Sequence, residues 1–146
     1  EIRMNKEIRV YNHDEDKCFL LNMVVQGITN DFVKIAESFG EYIAKEGGAV
    51  TSNQIRKIYF HIKKLELSND VKKIIPRFRL FLLLLKYTVK KNERQTKLKY
   101  LKDVLEKAAE GVIFDGLSEK EQKERFERFC AGFEAILACH SFYSEK

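Results

Sequence analysis

The chain has 146 residues, 45% hydrophobic and 34% charged: enough for one domain with a single sizeable core, and too apolar for a disordered segment. Lysine plus arginine outnumber aspartate plus glutamate by 27 to 22, a net charge of +5 that permits a polyanionic partner without requiring one. A single proline and the absence of tryptophan suit a mostly helical chain.

Three cysteines, Cys18, Cys130 and Cys139, lack any Cys-x-x-Cys spacing and imply neither a disulfide framework nor a zinc site, but buried free thiols in a reducing cytosol. The longest wholly apolar run, 80–85, is far short of a bilayer span. The first residues carry no signal-peptide pattern, although a chain beginning with Glu1 need not begin at a natural initiator. The expectation is a cytoplasmic protein with no membrane contact.

Residues 1–28 divide into a mixed-charge arm ending in His13-Asp14-Glu15-Asp16, read as extended or poorly ordered, and an apolar run from Cys18 to Val25. Periodicity cannot separate helix from strand on so short a run. Residues 29–146 read as the helical-bundle domain. Thr29-Asn30-Asp31 opens a helix whose Phe32, Ile35, Ala36, Phe39, Tyr42 and Ile43 recur at three- and four-residue intervals, until Gly47-Gly48 stops it.

Thr51 with Gln54 three residues on is a capping box, and Ile55, Ile58, Tyr59, Ile62 and Leu65 then form one apolar arc. The opposite arc holds Arg56, Lys57, Lys63 and Lys64, with Phe60 and His61 between them. Cations beside aromatic rings are what phosphate-backbone contact with occasional base stacking uses. A solvated basic face on an ordinary amphipathic helix is the plainer alternative. The short loop between these two helices predicts that they pack as neighbours.

Ser68-Asn69-Asp70 caps a third segment, from Val71 to about Lys91, with a kink or fresh helical start expected at Pro76. Beyond Pro76 the helix is apolar almost all round, which predicts a central helix packed on several sides. One cationic row breaks it: Lys72, Arg79, Lys86 and Lys90 fall within about 40° at the helical step, over roughly 27 Å. Snorkelling lysines at a groove edge would look the same. A fourth helix, 93–110, turns Leu98, Leu101, Val104 and Leu105 inward and ends at Gly111. Ser118 and Glu121 form a second capping box, opening a last helix that buries Phe126, Phe129, Cys130, Phe133, Ile136, Leu137 and His140.

The fold class expected is therefore all-α, a single five-helix bundle with an N-terminal arm. Its core comprises Phe32, Ile35, Phe39, Ile55, Ile58, Ile62, Phe81, Leu84, Leu101, Leu105, Phe129, Phe133 and Leu137. No catalytic constellation stands out. Gly-x-Ser-x-Gly and glycine-rich phosphate loops are absent, and the Glu119, Glu121, Glu124 and Glu127 carboxylates lie where a helix N-terminus favours them. His13-Asp14 is the one histidine–aspartate doublet, but a metal-dependent phosphohydrolase needs further histidines, and only His61 and His140 remain. No cofactor or metal is expected.

Three stretches together resemble one family. Thr51-Ser52-Asn53-Gln54-Ile55-Arg56-Lys57 is similar to a hallmark of the small helical subunit of type III-A CRISPR–Cas effector (Csm) complexes. Pro76-Arg77-Phe78-Arg79-Leu80 resembles that family's Lys-Pro-Lys-Leu segment, and Phe133 to Tyr143 resembles its C-terminal helix. The resemblance covers roughly 29–146. It departs at Leu80 to Lys86, where the family has small residues and an arginine. It departs again at Ser141 after His140, and at Ser144-Glu145 after Tyr143.

The resemblance implies an all-α, non-catalytic subunit of an antiviral effector complex, several copies of which line a filament along guide RNA and target RNA. Its basic surfaces would touch the RNA backbone, and its other partners would be the remaining subunits of the complex. Arg56 and Lys57 carry over from the Gln-Ile-Arg-Lys motif together with Gln54, and Arg77 from the proline segment; Lys63, Lys64, Arg79, Lys86 and Lys90 come from the helical wheel. Unmatched apolar surface on the 1–28 segment and the third helix further predicts self-association, as a homodimer in isolation and a filament in the complex. The alternative function is a helix-turn-helix DNA-binding regulator, with residues 30–66 as the helix pair and Ser52, Asn53, Arg56 and Lys57 toward base edges.

Overall fold

The computed structural model describes residues 10–68 and 70–144, which are all helix, turn and loop with no strand. Seven helical segments follow in order: α1 (His13–Asp16), α2 (Phe19–Gln26), α3 (Asn30–Ala44), α4 (Ser52–Glu66), α5 (Val71–Lys91), α6 (Thr96–Val112) and α7 (Glu119–Ser144). α1 is a single turn, so the bundle has six full helices among the described residues rather than the expected five.

The sixth full helix comes from the N-terminal segment. Where it is described, 10–17, the expected arm instead turns through α1 and packs on the bundle, and the apolar run, left open between helix and strand, supplies α2. α2 buries Phe19, Leu20, Met23 and Val24 against α6 and α7. Arg128 of α7 donates to the Val24 carbonyl at 2.8 Å. Ahead of it, Tyr11 is buried with its ring centroid 4.6 Å from that of Phe39. His13 stacks on Tyr100 at 4.1 Å, accepts from the Tyr11 hydroxyl at Nδ1 and donates from Nε2 to Asp103 of α6 at 3.0 Å. Burial would raise the Asp103 pKa, but hydrogen bonds from Lys102 and His13 and the charges of Lys102 and Lys99 outweigh it and hold the carboxyl below its ordinary value. Both nitrogens of the His13-Asp14 doublet's imidazole are thus engaged in holding the segment down. Among the described residues no group of three or more His, Cys, Asp or Glu is placed to hold a metal. The portion of the arm at 1–9 lies outside the described residues.

α7 is the central helix, in place of α5. It lies against α2, α3, α4, α5 and α6. α3 runs parallel to it, with Phe32 beside Gly132 and Gly40 against Cys139 and His140. α4 runs antiparallel, with Ser52 beside Ser144 and the Tyr59 and Phe133 rings 5.7 Å apart. α3 and α4, expected to pack as neighbours, each pack on α7 and make at most marginal contact with each other. That separation removes the paired-helix geometry a helix-turn-helix reader needs.

α5 runs unbroken through Pro76, its sixth residue, forgoing the one bond that a residue-76 N–H would make to Lys72. Only one face of it is covered, by Val71, Ile74, Phe78, Phe81 and Leu85. Leu84, expected in the core, is 45% exposed, because it lies roughly 100° around the helix from Leu85. The other expected core residues are buried or packed against the core. Gly111 likewise sits inside α6 rather than ending it. A Cβ there would come within 2.8 Å of Leu21 Cδ1, so the missing side chain lets α2 and α6 approach.

His140 is fully buried and donates from Nε2 to the Val50 carbonyl at 2.7 Å, as expected of a hydrogen-bonded core histidine; Nδ1 has no partner among the described residues. Burial holds its pKa below the ordinary 6.5, with the Val50 hydrogen bond opposing and the charge of Arg56 adding to the shift. The unfolded chain therefore binds more protons as pH falls below 6.5. Stability is full above that pH and declines below it, by at most about 1.4 kcal/mol per pH unit. Urea midpoints for His140→Gln should lack this slope between pH 6.5 and about 5 while the parent shows it.

A methyl group at Gly40 would collide with Cys139 Cβ and lie 3.0 Å from the Cys139 and His140 backbones, which cannot yield as a side chain can. Gly40→Ala is expected to cost about 1–3 kcal/mol in overpacking against about 1 kcal/mol of regained helix propensity. A melting experiment should find its Tm lowered by several degrees, at about 2–4 °C per kcal/mol for a chain of this size. Gly47→Ala, with nothing within 4 Å of the new methyl, is the matched control and should stay within about 0.5 kcal/mol.

Candidate nucleic-acid interface

The capping box forms as its residues dictate. Gln54 N–H donates to Thr51 Oγ1 at 3.1 Å and Thr51 N–H to Gln54 Oε1 at 2.9 Å. The same Gln54 amide exchanges two hydrogen bonds with Gln95 just ahead of α6, at 2.7 and 2.8 Å, and Gln95 also donates to the Ala49 carbonyl. Both acceptor positions of Gln54 Oε1 are thereby used. The Gln54 side chain is therefore spent inside the protein, joining the starts of α4 and α6. The Thr51-x-x-Gln54 spacing signals that role.

With Ile55, Tyr59, Ile62 and Leu65 buried, the outer face of α4 carries Arg56, Lys57 and Lys64, all exposed and without an ion pair among the described residues. Phe60 lies between them, 58% exposed, and exposed His61 lies with its ring 5.5 Å from that of Phe81 on α5. Lys63 differs. It is half-buried and pairs with Glu66 at 2.7 Å, whose hydrogen bond and charge raise its pKa.

α5 spans 21 residues with seven lysines and arginines and no carboxylate. Arg77, Arg79, Lys86 and Lys90 are exposed and make no ion pair among the described residues, whereas Lys72 lies 3.7 Å from Glu119. These cations do not form one surface with those of α4. A groove of about 300 Å³ between α4 and α5 is lined by Lys57, His61, Leu84 and Thr88, among others. Lys86 and Lys90 instead line a groove on the opposite flank, with Lys99 and Lys102 of α6. By the helical step, Arg77 faces the α4 side, while Arg79 joins Lys86 and Lys90 on the α6 side. Leu80, Leu83, Leu84 and Tyr87 stand between the two rows, 54%, 62%, 45% and 62% exposed.

The sequence reading missed Lys99 and Lys102 because the α6 contribution to this flank depends on how α5 and α6 pack. Asp103 partly neutralises both, 3.8 Å from Lys99 and 3.0 Å from Lys102, and Glu106 lies 3.5 Å from Lys102. All three cysteines are free thiols, and burial pushes Cys130 well above the ordinary thiol range. No described helix is long and apolar enough to cross a membrane.

Neither the curated proteins nor the solved structures include a significant match to this chain. A family model described as Csm2 Type III-A matches it over residues 27–146, from the loop after α2 to the last residue. The six helices, the Thr51-x-x-Gln54 cap and the unpaired cations of α4 all lie on or border that stretch. The chain belongs to the Csm2 Type III-A family, the small subunits of the type III-A effector complex.

Proposed function

We propose that this subunit has no catalytic role of its own and lines the guide–target RNA channel, meeting the RNA backbone with the outer face of α4. The observation that carries the reading is the set Arg56, Lys57 and Lys64. These three cations lack internal partners among the described residues and surround an exposed Phe60 on a helix anchored at both its cap and its buried face. Phosphates neutralise such cations, and a ring between them offers a base a stacking surface without sequence preference. Arg79, Lys86 and Lys90, across the α5 leucines, form a second cationic track for the same strand or its complement. The partners are the other subunits of the complex and further copies of this one along the filament, in the cytoplasm. Of the two apolar surfaces that favoured self-association, α2 is buried in its own bundle.

Titration of labelled single-stranded RNA against the full chain tests the reading. Contacts to about four phosphates give a slope near −3 in log K against log salt, at about 0.7 per phosphate, with little dependence on RNA sequence. Arg56→Ala and Lys86→Ala are each expected to lower that slope by about one contact, and Phe60→Ala to weaken binding without changing it. Melting temperatures should stay within a degree or two, because exposed charges contribute little to folding. RNA affinity unchanged in both charge variants would overturn the proposal and leave contact with RNA to neighbouring subunits.

A further inference from the structure

The leucines on the outer side of α5 are the largest feature that the RNA reading leaves unused. Leu80, Leu83, Leu84 and Tyr87 recur at i, i+3, i+4 and i+7, an apolar row of about 10 Å along the helix. Leu84 joins this row to the α4–α5 groove, which is also lined by Ile58, Phe81, Leu85 and Leu98. On the same arc by the helical step lie Lys73 and Arg77 at one end and Lys91 at the other, exposed and without a carboxylate partner among the described residues. Lys91 Nζ lies over the Tyr87 ring, 5.3 Å from its centroid. Exposed leucines at helical spacing beside a concave apolar groove mark a docking surface.

The chemistry discriminates among occupants. RNA bases stack on flat rings, and the only ring in the row, Tyr87, is already covered by Lys91. A second copy packed about a two-fold axis with α5 antiparallel to α5 would bring Lys73 and Arg77 of one chain against Lys90 and Lys91 of the other, like charge on like charge. A lipid surface has no knob to fill the groove between α4 and α5. The complementary object is a helix with an apolar row to interdigitate and carboxylates on both sides of it.

We infer that the outer face of α5, with the α4–α5 groove beside it, docks an acidic amphipathic helix of a different protein. Its apolar side chains fill the groove over Leu80, Leu83 and Leu84, and its Asp or Glu residues meet Lys73, Arg77 and Lys91. The inference does not rest on the α4 RNA contact, with which this surface shares only Lys57, at the edge of the groove.

The probe is a labelled peptide of about 18 residues, five helical turns, with leucines at i, i+3, i+4 and i+7 flanked by glutamates. The control replaces every glutamate by lysine. Anisotropy titrations against the full chain should show saturable binding of the glutamate peptide only. Leu84→Glu and Arg77→Glu should each weaken it at least ten-fold, with melting temperature and RNA salt slope otherwise retained in Leu84→Glu. Absence of saturable binding, or equal binding of the lysine peptide, would overturn the inference. So would Leu84→Glu abolishing binding to RNA or to anionic vesicles while sparing the peptide. Sedimentation showing a dimer of the parent that Leu84→Glu dissolves would assign the face to a second copy instead.

Discussion

The close approach of α3 to α7 at Gly40, and the hydrogen bond from His140 to Val50 beside it, constrain everything outward of them. α3 can lie parallel to α7 only where it has no side chain to hold it off. The chain then leaves α3 through a short loop and delivers the Val50 carbonyl to a histidine buried one residue beyond Cys139. That bond places the start of α4 against the end of α7, so α4 returns antiparallel along it. A hydrogen bond of this kind is worth only about 1 kcal/mol net. Its larger effect is geometric, because it sets the rotational phase at which α4 meets the core.

Phase decides which residues face solvent. With Ile55, Tyr59, Ile62 and Leu65 turned in, Arg56, Lys57, Phe60 and Lys64 have nowhere to go but out. The Gln54–Gln95 amide pair carries the same constraint to α6, and through α6 to the flank where Lys86 and Lys90 meet Lys99 and Lys102. Charge is then distributed unevenly. α6 supplies carboxylates beside its own lysines, whereas α5 has none and α4 has only Glu66. Cations left without local partners are available to an external polyanion, and partners within the fold remove Lys63 and Lys102 from that role.

α5 shows how far apolar content and burial can diverge. Its run of leucines exceeds what one face of the bundle can cover, since α4, α6 and α7 close over only the Phe78, Phe81 and Leu85 side. α7 contains fewer large apolar residues per turn, yet it is the element all others surround. Gly132, against which Leu20 and Phe32 pack, and the small Ala135 let neighbours approach it closely. Centrality in a bundle follows from how closely other helices can come, and not from hydrophobicity alone.

Much of this protein was legible in its residues. The caps at Thr29, Thr51 and Asp70, the apolar arcs of α3, α4 and α7, the buried His140 and the outward cations of α4 all follow from spacing, because each depends on contacts within a few residues along one helix. The three motifs that resemble the Csm small subunit carried the family as well. Tertiary structure decided the rest. It drew the stretch around Tyr11 and His13 onto the bundle through contacts between Tyr11 and Phe39 and between His13 and Asp103, which no local pattern encodes. It left Leu84 in solvent and put α7 at the centre. It also split the cations into two rows with leucines between them, because the relative rotation of neighbouring helices is set by packing between segments far apart in the chain.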